Sequence, residues 1–152
     1  MLKINLFAGL TSGHASFATY EDQESTTFEC QMTTLDEYRS SNIVGDASFV
    51  KVDIEGAEMM FLKGAERLFA QKSKPIILME MALAQTSRFG YSPNDLIGFI
   101  AERGPYLFYR IDEVKRRLSV IDGFAPGDIG ANVFCVPQTA ADRVRAAISE
   151  FL

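Results

Sequence analysis

A small set of acids carries most of the chemistry this sequence could do. Asp53, Glu55 and Glu58 close the stretch Phe49-Val-Lys-Val-Asp-Ile-Glu-Gly-Ala-Glu58, and Glu80 stands near the end of Ile76-Ile77-Leu78-Met79-Glu80-Met81. Carboxylates gathered in one crevice can take a proton from a substrate, bind a sugar hydroxyl or hold a divalent cation. Asp53 and Glu55 are the candidate catalytic residues, and Glu80 and Asp36 the candidate substrate-binding ones. Each has a structural alternative: Glu55 with a helix start, Asp53 with backbone donors in a turn, Asp36 as a cap. His14, the only histidine, is a further candidate base in a loop. With no second imidazole, a metal site is not expected.

These acids meet only if particular elements position them. Phe49, Val50, Val52 and Ile54 are aromatic or β-branched and suit a strand. Gly56 allows a tight turn, and Ala57, Met60, Phe61, Gly64, Ala65 and Leu68 recur at helical spacing. Glu55 and Glu58 near the start of that helix, with Lys63, Arg67 and Lys72 towards its end, match its dipole. The apolar run 76–81 reads as a parallel strand buried on both faces. In open α/β sheets the chemistry gathers at the carboxyl ends of strands, where Asp53, Glu55 and Glu80 fall.

Around this unit, residues 2–8, 15–20 and 26–32 read as three antiparallel strands, so that residues 1–33 form an N-terminal β appendage. Thr33 or Thr34 caps a short helix, with Glu37 as capping-box partner to Thr34. Ser92-Pro93-Asn94-Asp95 starts another helix, which Gly104 stops. Two strands flank the turn Asp112–Arg117, where Tyr109 and Arg110 are expected to pack and pair. A glycine-rich loop leads to a last strand over 132–137, and a terminal helix carries Val144, Ala147, Ile148 and Phe151 on one face. The expected fold is α/β, with a mainly parallel, partial Rossmann-like sheet and an antiparallel strand near its C-terminal edge.

The 152 residues suit one domain spanning 1–152. Fifteen basic against 20 acidic residues, net −5, argue against nucleic acid as a partner, and Lys115-Arg116-Arg117 reads as a solvated hairpin end. No apolar run approaches the roughly 20 residues of a membrane span, and no signal-peptide pattern opens the chain. Cys30 and Cys135 read as buried free thiols, as in a reducing cytoplasm.

Several segments together resemble the FkbM family of S-adenosylmethionine-dependent methyltransferases. They are Thr34-Leu35-Asp36-Glu37-Tyr38, Val50-Lys51-Val52-Asp53-Ile54-Glu55-Gly56-Ala57-Glu58, Leu62-Lys63-Gly64-Ala65-Glu66, Lys74-Pro75-Ile76-Ile77-Leu78-Met79-Glu80 and Tyr106-Leu107-Phe108-Tyr109-Arg110-Ile111. The resemblance implies the class I methyltransferase sheet, S-adenosylmethionine as cofactor and a small-molecule or sugar hydroxyl as acceptor. It also supports Asp53 and Glu55 as functional residues. The family's glycine-rich cofactor loop and its ribose-binding acid have no counterpart, so no cofactor-binding residue is assigned and the chain is expected to start at the family's third strand. That places residues 49–54 at an unpaired sheet edge, expected to be covered by the N-terminal strand, a second copy or a partner chain. A non-catalytic module acting in assembly or binding is the alternative function.

Overall fold

The computed structural model describes residues 2–7, 15–17 and 24–147. Two strands, β1 (Leu2–Phe7) and β2 (Ser25–Cys30), pair antiparallel in a sheet of their own. Of the expected middle strand of this appendage, Ser16 forms a single bridge to Asn5, and residues 18–20 lie outside the described residues. His14 lies outside them too.

Helix α1 (Leu35–Ser41) starts where the threonines indicate. The Thr34 side chain accepts the Glu37 N–H at 3.0 Å, while the Glu37 carboxylate accepts from the Thr33 hydroxyl, so the capping box is only half formed. Strand β3 (Phe49–Val52) follows, then α2 (Glu58–Lys63), α3 (Glu66–Ala70) and β4 (Ile76–Ala82). The single helix that the spacing predicts is therefore broken. A Cβ on Gly64 would lie 3.1 Å from Thr34 Cβ, and the Asp36 N–H donates to the Gly64 carbonyl at 3.0 Å, so the start of α1 docks into the break.

After β4 come the short α4 (Leu83–Thr86) and α5 (Pro93–Glu102), whose N-terminus is a full capping box between Ser92 and Asp95. Strands β5 (Tyr106–Asp112), β6 (Arg117–Ile121) and β7 (Gly130–Pro137) and helix α6 (Ala141–Ala147) complete the described chain.

The larger sheet overturns the mainly parallel, Rossmann-like expectation. Its order is β3-β4-β7-β5-β6; β3 with β4 is parallel, whereas β4 with β7, β7 with β5 and β5 with β6 are all antiparallel. The cause is the place of β7, which enters between β4 and β5 and runs against both. Strands β3, β4 and β5 point the same way, yet only the first two are neighbours. Strands that alternate with helices along the chain do not fix which strands adjoin in the sheet.

Burial along β4 alternates, contrary to a strand covered on both faces. Ile77, Met79 and Met81 are fully buried, and the residues between them only partly. The buried set joins Val52, Phe108, Val133 and Cys135 against Leu62, Leu68, Phe69, Leu96, Ile97 and Ile100, so α2, α3 and α5 cover one face. Gly130 shows how closely β7 fits: at φ 94° it sits where any Cβ would run into the Met81 carbonyl. Among the described residues β3 has no second neighbour, and β1 pairs with β2 and bridges Ser16, so the N-terminal strand does not cover that edge.

Candidate active site

The register of β3 with β4 pairs Val52 with Met79, and one further step sets Asp53 beside Glu80. Glu55 follows after the strand ends. Carboxylate oxygens of Asp53, Glu55 and Glu80 all lie within 4.8 Å of one another. The structure thus brings together three of the four acids selected from the sequence. Lys51 Nζ contacts Asp53 Oδ2 at 2.5 Å as the nearest cation, with both side chains about half exposed. Burial pushes the Glu80 carboxyl above the ordinary carboxylate range, the charges of Asp53, Glu55 and Glu58 push it further, and Lys51 opposes them.

Asp36 is elsewhere. Its carboxylate accepts the Arg67 N–H at 3.1 and 3.2 Å and so caps the start of α3 from another helix. Arg110 pairs with Asp128 and stacks 5.6 Å from the Phe124 ring, while Tyr109 is buried with no partner for its hydroxyl among the described residues.

The turn that carries Glu55 is held from beneath by Glu58. This side chain is 1% exposed, and its Oε1 accepts the N–H groups of Ile54 and Gly56, each at 3.2 Å. The Tyr91 hydroxyl accepts the Met59 N–H at 3.3 Å and donates to the Gly56 carbonyl at 2.5 Å, with Glu58 Oε2 3.2 Å away. Burial holds the Tyr91 hydroxyl above the ordinary phenol range. Locked on both sides, Glu55 adopts φ 55°, the left-handed region that a non-glycine residue enters at a cost of about 1 kcal/mol. Gly56, at φ 101°, leaves no room for a side chain: a Cβ would sit 2.7 Å from the Gln85 carbonyl oxygen and from the Phe89 ring. From the appendage, the Ser16 hydroxyl donates to the Glu55 carbonyl at 3.2 Å.

Glu58 and Tyr91 were not selected as site residues from the sequence. Glu58 has the same type and turn context as Glu55, and only its position on the first turn of α2 hints at a bond back to preceding N–H groups. Tyr91, 33 residues away, carries no local signal.

Chemically, three acids converge on one surface beside Lys51, and burial favours the protonated form of Glu80. Such a group suits hydroxyl binding and proton acceptance. The chain matches no curated protein and no solved structure. The family model described as the methyltransferase FkbM domain matches residues 4–106, which contain all three acids and the turn that presents them. The chain belongs to the FkbM methyltransferase domain family.

Proposed function

We propose that the chain carries out S-adenosylmethionine-dependent O-methylation and that the acid cluster forms its acceptor side. Asp53 and Glu55 orient a hydroxyl of a sugar or other small molecule, and the acid group accepts its proton as oxygen attacks the methyl. The convergence of Asp53, Glu55 and Glu80 at the ends of two parallel neighbours, in a chain of this family, carries the reading. Proximity and orientation would provide most of the acceleration, and Glu80, whose carboxyl is held above the ordinary carboxylate range by burial and by the neighbouring acids, would serve as proton acceptor.

The cofactor's nucleoside fits less well. Close approach of a nucleoside to backbone calls for glycines with an open side, and the glycine at this turn, Gly56, has that side filled by Gln85 and Phe89. The described residues therefore offer acids for hydroxyls but no glycine cradle at the site, and no step is assigned to the cofactor beyond donating the methyl. Titration calorimetry of the chain with S-adenosylmethionine and with its demethylated product decides the matter. Micromolar binding supports methyl transfer by this chain, and silence with both removes it.

The open edge of β3, with Phe49 50% exposed, favours a second reading, a binding or assembly module. On that reading a second copy or a partner chain pairs with β3, and sedimentation at rising concentration shows self-association. No described helix is long and apolar enough to cross a membrane, and two cysteines with no disulfide between them suit a cytoplasmic setting.

A further inference from the structure

The free side of β3 has a definite pattern of donors, acceptors and charges. The Ile76 N–H donates to the Ser48 carbonyl at 3.0 Å, so Ser48 turns its main chain towards β4. Main-chain groups alternate along a strand, so Val50 and Val52 turn towards β4 as well. Phe49, Lys51 and, one step past the strand's end, Asp53 turn their N–H and C=O groups outwards, where they meet no other strand among the described residues. Their side chains are open too: Phe49 is 50% exposed, and the side chains of Lys51 and Asp53 are 57% and 43% exposed. Such an edge is a template for a further strand.

The order of charges on this edge says which strand fits. About a two-fold axis a strand meets its own residues in reverse, and outward-turned residues that face each other exchange both hydrogen bonds. An axis at Lys51 sets two lysines directly opposite, and one at Asp53 sets two carboxylates so; both are unfavourable. An axis at Phe49 or Val50 sets Lys51 or Asp53 against Ala47, whose N–H and C=O are already held by Gln71. An axis at Val52 sets Lys51 against the partner's Asp53 on each side of it, and opposite charges directly across a ladder attract. The same axis brings Val50 to the partner's Ile54, a position that needs no ladder bond. This suits Ile54, whose N–H is already given to Glu58 and whose side chain is 37% exposed in the single chain.

We propose that β3 pairs antiparallel with β3 of a second copy of this chain about an axis at Val52, and that each copy brings its Lys51 to the partner's Asp53. Asp53 shares its surface with Glu55 and Glu80, so the pairing delivers a further cation to the acid cluster of each copy. The proposal rests on the reading of β3 as an open edge, and adds to it the identity of the partner, the register and the lysine. Sedimentation of the full chain at rising concentration, joined to amide exchange followed by NMR, tests it.

The parent chain dimerises, and the Lys51 and Asp53 N–H groups slow as the dimer fills, while the Phe49 N–H stays fast. Lys51→Glu and Asp53→Lys each set like charges across the ladder on both sides of the axis, and each weakens the dimer about 10-fold. The double variant Lys51→Glu/Asp53→Lys exchanges the signs within one chain and restores the parent affinity, as does mixing the two single variants. Both side chains are about half exposed, so native circular dichroism is expected, and exchange in the parent chain tests the register even where a variant fails to fold. A dimer that slows the Phe49 N–H, or that ignores both single charge reversals, overturns the proposal and leaves the open edge to another form of self-pairing. A chain that stays monomeric at every concentration overturns the proposal and removes self-association with it, leaving the edge to a different chain.

Discussion

Two acids three residues apart in one motif live in opposite surroundings. Glu58 is buried, accepts two backbone N–H groups and has the Tyr91 hydroxyl within reach. Glu55 stands in a left-handed conformation, within reach of two more carboxylates. The first is an anchor whose every contact favours the fold, and the second is held in a state that the fold alone would not choose. Backbone strain and like-charge crowding survive where the surroundings over-determine them, and they concentrate where a protein meets its ligand. The contrast teaches that one short motif sets a buried anchor and a strained, crowded acid only three residues apart.

Mutations should split along this line. The largest effect is expected from Glu58→Ala, which leaves the Ile54 and Gly56 N–H groups unsatisfied and costs about 3–5 kcal/mol in chemical denaturation. Gly56→Ala should cost about 3 kcal/mol, because positive φ and the Gln85 carbonyl both oppose the methyl. Tyr91→Phe removes one hydroxyl and should cost about 1–2 kcal/mol. A Glu58→Ala chain as stable as the parent would erase the contrast.

On the other side the sign reverses. Glu55→Asn places a residue that tolerates the left-handed region and should stabilise by about 0.5–1 kcal/mol while weakening acceptor binding. Glu80→Gln should stabilise least, by a few tenths to about 1 kcal/mol. The Glu80 pKa is raised by folding, so its favourable contribution is complete below the unfolded value near 4.5 and is lost as pH rises through the folded one. The gain in melting temperature from Glu80→Gln should therefore show at pH 7–8 and vanish below about pH 4.5. A gain that persists in acid would mean packing, not charge, is responsible.

Much of this arrangement was legible from local rules. The apolar run into Asp53, the glycine after Glu55 and the capping box at Ser92 each act within a few residues, and β3, the turn and α5 form where those signals stand. What escaped depends on distant partners. The break at Gly64 exists because Thr34 docks there, and the antiparallel pairing exists because β7, some 50 residues after β4, enters between β4 and β5. Glu55 and Glu58 could not be told apart by type, and only their burial assigns one to the anchor and the other to the site. Asp36, read as either a substrate-binding acid or a cap, has a capping partner that no local rule supplies: its carboxylate accepts the Arg67 N–H, 31 residues away.

Cys135 sits on β7, between the two strands that β7 joins, and is fully buried, with burial pushing its thiol well above the ordinary range. Cys30, at the end of β2, is only partly buried. A thiol reagent therefore finds the two sulfurs on different clocks, and the slow one is a built-in reporter of how often β7 leaves its place. The labelling rate of Cys135 would time the opening of the strand that joins the two halves of the sheet, with no probe added to the protein.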